Sequence, residues 1–242
     1  MPPPRAPINE EVDRMARGLD QGVMTMLSLA DLRREAEALT HDAPEGGALD
    51  PMARALIALA VAVSVTALDR ATINAEIDAA FDAGASAAQV QEIIALVSGL
   101  GVHSLMASAM PVLAAAERRG LVDKRAPLDP ERQQLWDRHV GDDPFWNGFS
   151  EELPGFLDAM LRLSPALFAG FFAYCAIPWQ SDTVRAKVKE LAAMACDATP
   201  THRFRPGFRL HLKNALGLGL GRAAILEALD IAARAPGHQG TV

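Results

Sequence analysis

The sequence contains little that would support redox, disulfide or membrane chemistry. Its two cysteines, Cys175 and Cys196, give neither a disulfide framework nor a CxxC pair. Apolar runs such as residues 56–67 fall short of the roughly 20 residues that a membrane helix needs. The Pro-rich first residues are not followed by the apolar core of a signal peptide. We therefore expect a soluble, cytoplasmic protein with no membrane partner.

Basic stripes interleaved with aromatic residues are also missing, and the formal net charge of the 242 residues is -7. Nucleic-acid binding is not expected, because phosphate contacts need clustered Lys and Arg side chains. With three Trp and one Tyr, apolar packing depends mainly on Ala, Leu, Ile, Val and Met. This composition favours close helix–helix packing over strands. The predicted fold class is an all-α helical bundle without a significant sheet.

Hydrophobic periodicity and the Pro and Gly positions predict a chain of helices. Asp50 and the pair Ser181-Asp182 are expected to cap two of them, and the Pro-rich residues 1–8 are expected to be disordered or to lie on the surface. The predicted helices are 9–20, 29–40, 51–68, 72–83, 87–98, 103–118, 130–140, 144–162, 165–175, 183–197, 208–218 and 222–234.

An internal repeat is the most informative feature of the chain. Residues 55–103 and 190–238 align without gaps and are identical at ten positions, four of which are Ala/Ala. The count alone is only suggestive, but both stretches share the order of an apolar helix, a polar turn, a helix ending at glycine and another apolar helix. The pattern predicts a duplicated helical unit, with repeats at 1–120 and 121–242.

Only the second repeat carries a dense set of polar groups. Glu190 and His211 lie early in consecutive predicted helices, with His202 in the turn between them. A carboxylate beside a histidine suits proton transfer, because histidine titrates near neutral pH and the carboxylate can orient it. Arg205 and Arg209 are candidate ligands for a substrate carboxylate. The first repeat has Ala55, Ala67 and Glu76 in place of Glu190, His202 and His211, and we expect it to be structural.

The residues of this second repeat resemble the carboxymuconolactone decarboxylase family, whose superfamily includes the AhpD-type alkylhydroperoxidases. The resemblance covers roughly 50–120 and 150–240 and rests on Lys189-Glu-Leu, His211-x3-Ala-x3-Gly and Ile225-x-Glu. The string from Ala198 to His211 is typical of a sub-branch with an extended turn. The resemblance implies tandem AhpD-like repeats and two-repeat chains that assemble as trimers.

In the peroxidase branch of the superfamily that this chain resembles, a CxxC pair is the expected catalytic group. This chain has no CxxC pair. The resemblance therefore implies a cofactor-independent lyase that acts on a small carboxylated ring or lactone, without a bound metal. Glu190 and His211 match the acid and the histidine of the decarboxylase branch. The implied catalytic residues are His211, Glu190 and His202, and the implied substrate-binding residues are Arg205, Arg209, Thr201 and Cys196.

Several alternatives remain open from the sequence. Glu190 could form a helix salt bridge to a neighbouring lysine, Cys196 could be a buried apolar residue, and Arg205 could have a structural role. His103 and His238, which match across the repeats, are interpreted as structural or interfacial. A metal site built from His202, His211 and Glu190 is a weaker alternative. For the whole chain, the alternatives are an assembly or accessory protein of the same fold and a thiol-dependent hydroperoxide reductase.

Overall fold

The computed structural model describes residues 26–238, and within this range the chain is helical with no strand. The predicted all-α class is confirmed. The segments 1–8 and 9–20 lie outside the described residues. The helices are α1 (Leu29–Leu39), α2 (Pro51–Val63), α3 (Arg70–Asp82), α4 (Ala87–Ser98), α5 (His103–Arg118), α6 (Pro130–His139), α7 (Phe145–Glu152), α8 (Phe156–Leu163), α9 (Pro165–Ala176), α10 (Ala186–Ala198), α11 (Arg205–Gly217) and α12 (Arg222–Ala233), with short 3-10 turns at Gly99–Val102 and Ile177–Trp179.

Several predicted helix boundaries were wrong. The helix predicted over 51–68 ends at Val63, and a turn follows it. The predicted helix 144–162 is two helices, because Pro154 and Gly155, at φ 77°, break the chain between α7 and α8. Ser181 and Asp182 do not cap α10, which begins at Ala186 without a side-chain cap. Ser181 instead donates its hydroxyl to Glu92, 2.6 Å away. Asp50 does cap α2, by accepting a hydrogen bond from the amide of Ala53.

The helices of the second half repeat those of the first at a constant offset. The bounds of α2, α3 and α4, each shifted by 135 residues, are those of α10, α11 and α12. The turns correspond as well, because Leu68 and Arg203 both adopt positive φ (46° and 50°). A non-glycine residue with positive φ is uncommon, so its occurrence at matched positions supports the alignment of the repeats.

The two repeats share one hydrophobic core rather than forming two. Side chains of α1 to α4 pack with those of α10 to α12, and α10 contacts α2, α4, α11 and α12. A second apolar cluster is built mainly from α5 to α9. The packing therefore does not divide at the predicted boundary between 1–120 and 121–242.

Two ion pairs tie the repeats together at related positions. Glu92 of α4 is 2.6 Å from Lys189 of α10 and accepts the amide of Val184. Shifted by 135, the same arrangement recurs: Glu227 of α12 is 2.5 Å from Arg54 and accepts the amide of Leu49. In each case, a glutamate of one repeat pairs with a cation and accepts a backbone amide of the other repeat. The first pair is buried, whereas the Arg54 side chain is 46% exposed.

The segment Ala87–Arg118 differs from the sequence expectation that no apolar run is long enough for a membrane. Within the described residues it is one continuous helical stretch of 32 residues, and by length and composition alone it could cross a membrane. The expectation failed because Gly99–Val102 was interpreted as a break, whereas it continues the helical path as a 3-10 turn. In this fold, Ile93 and Leu96 of the stretch are buried in the shared core.

Candidate active site

The second repeat brings one acid and one histidine together. Glu190 on α10 and His211 on α11 form a hydrogen bond of 2.7 Å between Oε2 and Nδ1. Asn214, one turn after His211, donates its amide to the other carboxylate oxygen at 3.3 Å. Both Glu190 oxygens therefore have partners, which fixes the orientation of the carboxylate. The placement of α10 against α11 creates this pair, because each helix contributes one partner.

The Glu190–His211 pair lies in the wall of a cavity of about 360 Å³. This volume is in the range of sites for small molecules. The lining is mostly apolar, with polar groups from α5, α10 and α11. Aromatic lining residues come from the region between α7 and the Ile177–Trp179 turn: Phe145, Trp146, Phe149, Phe171, Phe172, Tyr174 and Trp179.

The electrostatic environment of His211 favours its charged form. Burial works to lower its pKa, but the hydrogen bond and negative charge of Glu190, together with the charge of Asp197, raise it above its usual value. The indole of Trp179 lies parallel to the imidazole, with 6.1 Å between ring centroids and 8° between ring planes. The arrangement therefore provides a histidine that can hold and deliver a proton inside an apolar cavity.

A buried lysine positions the segment that carries Trp179. The Lys189 ammonium donates to the carbonyl oxygens of Pro178 and Ser181, at 2.5 and 2.6 Å, and pairs with Glu92. The first contact links the Ile177–Trp179 turn to α10, the second links the residues that follow the turn, and the third links α10 to α4. Lys189 thus acts through this segment and is not among the residues that line the cavity.

His202 forms a second polar cluster with two residues that the sequence analysis did not assign to a site. Its Nε2 lies 2.7 Å from Nδ1 of His103 and 3.7 Å from Oδ1 of Asp197. His103 lines the cavity and His202 does not. His202 therefore contacts the cavity lining through His103. Burial lowers the pKa of His202 and, with the charges of His202 and His211, lowers that of His103 to about 3. Burial raises the pKa of Asp197 to about 8.

The four predicted substrate-binding residues do not line the cavity. Thr201 is exposed in the turn before α11, and Cys196 is fully buried in the shared core. Arg205 donates to Glu35 of α1 at 2.9 Å, and Arg209 lies 3.3 Å from Glu35 and 3.2 Å from Glu152. The structure therefore places both arginines in ion pairs between helices and outside the lining of this cavity.

Several residues of the cavity were not predicted from the sequence. Asn214 was detectable, because a spacing of three residues from His211 places it on the same helix face. The aromatic wall also had a signal, since nine of the thirteen aromatic residues fall within 145–179. His103 had been interpreted as structural or interfacial, and no local pattern connects it to His202, which is 99 residues away in the chain.

Neither protein-family models nor curated proteins match this chain. A search of solved structures finds a protein of Burkholderia xenovorans LB400 provisionally assigned as a gamma-carboxymuconolactone decarboxylase subunit. It is 27% identical, with a TM-score of 0.66, over 95% of this chain and 84% of that one. The chain has the carboxymuconolactone decarboxylase/AhpD-like fold.

In this AhpD-like chain, neither cysteine is placed for thiol catalysis. Cys196 is fully buried, and burial together with the charge of Asp197 raises its pKa well above the usual value. Cys175 lines the cavity, but burial raises its pKa to about 11. Because the thiolate is the nucleophile, neither environment favours a thiol-dependent hydroperoxide reductase.

Proposed function

We propose that this chain is a lyase of the carboxymuconolactone decarboxylase type, which acts on a small carboxylated ring or lactone by acid–base chemistry. The observation that carries the proposal is the 2.7 Å hydrogen bond between Glu190 and His211 in the wall of a cavity of about 360 Å³. The likeness to a protein provisionally assigned as a decarboxylase subunit gives independent support.

The cavity lining favours a substrate with an apolar or aromatic body and a single acid group. Its lining residues include seven aromatic side chains and neither lysine nor arginine. The group there that can carry a positive charge near neutral pH is His211, whose pKa is raised. A second carboxylate on the substrate would be desolvated without a partner, which is costly. We therefore propose that protonated His211 binds the substrate carboxylate, in place of Arg205 and Arg209.

The proposed reaction is a decarboxylation completed by proton transfer from His211. The bond between the substrate carbon and its carboxylate breaks, and the electron pair moves into the conjugated carbonyl of the ring as carbon dioxide leaves. Protonated His211 then delivers its proton to that carbon and regains one from solvent. Glu190 orients the imidazole and stabilises its charged form, while Asn214 fixes Glu190. These steps use no cofactor.

Turnover of a panel of substrates tests the proposal. Lactone acids and ring-substituted unsaturated monocarboxylates are incubated with the protein, and released carbon dioxide is measured. We expect turnover by the wild type and a loss of about 10²- to 10⁴-fold in Glu190→Gln, because the histidine loses its charged partner. His41→Ala, which removes an exposed histidine, is the control. Equal turnover in Glu190→Gln would contradict the mechanism, and no turnover of any acid would favour the accessory-protein alternative.

We also propose that the chain forms a cytoplasmic homo-oligomer, as a trimer of two-repeat chains. Large apolar side chains in and next to the cavity lining are exposed in the single chain, among them Phe145, Tyr174 and Ile177. A neighbouring copy would remove this surface from water. Light scattering on the purified chain should give three times the monomer mass of 25.8 kDa, and a monomer would contradict this proposal.

A further inference from the structure

The cluster of His103, Asp197 and His202 holds three potential ligand atoms close together. Nδ1 of His103 lies 2.7 Å from Nε2 of His202, and Oδ1 of Asp197 lies 3.5 and 3.7 Å from these two nitrogens. No step of the proposed decarboxylation uses these atoms. The three ligand atoms lie within 4.8 Å of one another, which is close enough for one metal ion to contact all three.

Asp197 is the unusual member of the cluster. Its side chain is fully buried, and neither carboxylate oxygen has a hydrogen-bond partner among the described residues. Buried carboxylates are normally paired or bind a cation, because desolvation without compensation is costly. The backbone of α11 closes one side of the group, since a Cβ at Gly207 would lie 2.3 Å from Oδ2. The other oxygen, Oδ1, is the one nearest to the two imidazoles.

The two imidazoles present nitrogen atoms to each other and to the carboxylate, because Nδ1 of His103 and Nε2 of His202 both lie within 3.7 Å of Oδ1 of Asp197. A neutral imidazole has one nitrogen lone pair with which it can bind a metal ion. One proton at most can lie between the two facing nitrogens, and the Asp197 carboxyl group has no hydrogen-bond partner among the described residues. A bound divalent cation would favour the ionised carboxylate and give it a partner.

We infer that His103, Asp197 and His202 form a binding site for a divalent first-row transition metal, at the wall of the cavity. Two imidazoles and one carboxylate form a ligand set that suits Zn²⁺ and Fe²⁺. Tetrahedral ligands of Zn²⁺ lie about 3.4 Å apart, given metal–ligand distances of roughly 2.1 Å. The two distances from Asp197 fit, and the two nitrogens need to separate by a small rotation of the partly exposed His202 ring.

The site differs from the one in the sequence analysis, which combined His202 with His211 and Glu190. His211 and Glu190 are hydrogen-bonded to each other, so neither is free for this cluster. Because His103 lines the cavity, the proposed metal adjoins the space that a small molecule would occupy. The inference does not depend on the proposed decarboxylation.

Titration of the chelator-treated full chain with Zn²⁺ tests the inference. We expect one equivalent per chain, and a rise in Tm of about 5–10 °C at roughly hundredfold excess over Kd. In His202→Gln and Asp197→Asn, the affinity should fall by at least about tenfold. His41→Gln should behave as the wild type, because this exposed histidine lies outside the cluster. No binding by the wild type, or equal binding by all variants, would overturn the proposal.

Two further readouts separate a ligand from a merely structural residue. Metal-free Asp197→Asn should have a higher Tm than the metal-free wild type, because a buried unpaired carboxylate is removed, yet Zn²⁺ should not raise it further. Co²⁺ should give visible absorption bands with the wild type that His202→Gln lacks. Glu190→Gln should keep the full Zn²⁺ equivalent, so that failure of the decarboxylase proposal and failure of the metal site are distinguishable. A loss of Tm in metal-free Asp197→Asn would indicate a structural aspartate and contradict the inference.

Discussion

The two repeats have the same helices and different chemistry. The pair α10–α11 carries Glu190 and His211, whereas the matched positions in α2–α3 hold Ala55 and Glu76. The three matched helices nevertheless have identical lengths in both halves. The backbone of the repeat therefore forms with or without the polar groups, which means that the polar groups of the second repeat are not needed to build it.

The second repeat contains local adjustments that accommodate its polar groups. Asp197 is matched by Ala62 in the first repeat, and Gly207, whose Cα approaches the Asp197 carboxylate, is matched by Thr72. Lys189 is fully buried, whereas its counterpart Arg54 is partly exposed. In the second repeat the larger Asp197 is accompanied by the smaller Gly207, whereas in the first repeat the smaller Ala62 is accompanied by the larger Thr72. This comparison indicates that the same helical scaffold accommodates different sets of buried polar side chains.

The sharpest test of the asymmetry is a matched pair of substitutions in the two repeats. His211→Ala should lower kcat/KM by about 10²- to 10⁴-fold, because it removes the proton donor. Glu76→Ala, at the matched position of the first repeat, should leave kcat/KM unchanged. Steady-state kinetics on the best acid of the panel measures both. Equal losses in the two variants would show that the first repeat also takes part in the reaction.

The related ion pairs should contribute very differently to stability. Lys189→Met leaves Glu92 buried without its cation, and we expect the free energy of unfolding to fall by about 3–5 kcal/mol. Arg54→Met breaks the partly exposed counterpart, for which about 0.2–1 kcal/mol is expected. Urea denaturation of both variants measures the difference. Adding Glu92→Gln to Lys189→Met should recover part of the loss, and similar losses in the two single variants would contradict the role of burial.

Most helices and the pairing of Glu190 with His211 were accessible from sequence, because each depends on local or repeated patterns. Periodicity and breaker residues located most helices, and the match to the first repeat pointed to Glu190 and His211 as groups present in one copy alone. The break at Pro154 and Gly155 had a local signal that was overlooked, whereas the start of α10 depends on a tertiary contact. Ser181, for example, has a suitable cap chemistry but is bound by Glu92, 89 residues away.

The roles of the arginines were not accessible for a similar reason. Arg205 was assigned to a substrate carboxylate because of its proximity in sequence to His202 and His211. Its partner is Glu35, which lies 170 residues away in the chain. No spacing rule predicts that α1 packs near the start of α11. The same limit hid His103, whose contact with His202 exists only after α5 is placed against the second repeat.

The buried carboxylate predicts a pH dependence of stability that the first repeat does not share. Because burial raises the pKa of Asp197 from 3.8 to about 8, the folded state binds a proton that the unfolded state releases. The stability contributed by that proton is present at low pH and lost as the pH rises towards about 8. With chelator present, the difference in stability between the wild type and Asp197→Asn should therefore change over this window. The same denaturation series on Ala62→Asn, at the matched site, should show no such change relative to the wild type.

The close approach of Gly207 to Asp197 predicts that a larger side chain at position 207 lowers stability, and that a smaller side chain at position 197 restores part of it. A Cβ at position 207 would lie 2.3 Å from Oδ2 of Asp197 and 3.0 Å from the Phe204 ring. Gly207→Ala should cost about 1–3 kcal/mol through overpacking. The double variant with Asp197→Ala reproduces the small partner found in the first repeat and should be more stable than Gly207→Ala alone. If the double variant is no better, the clash lies with Phe204 and the comparison of the repeats does not explain Gly207.

The smallest effect is expected for the arginine that sequence reasoning had assigned to the substrate. Arg205 is exposed and paired with Glu35 away from the cavity, so Arg205→Ala should change KM less than about twofold and stability by about 0.2–1 kcal/mol. His211→Ala in the same assay provides the scale for a residue that lines the cavity. A rise in KM of tenfold or more in Arg205→Ala would mean that the guanidinium reaches the substrate, for instance in a neighbouring copy. In that case, the cavity of the single chain would be incomplete, and the preference for a substrate with one acid group would no longer follow.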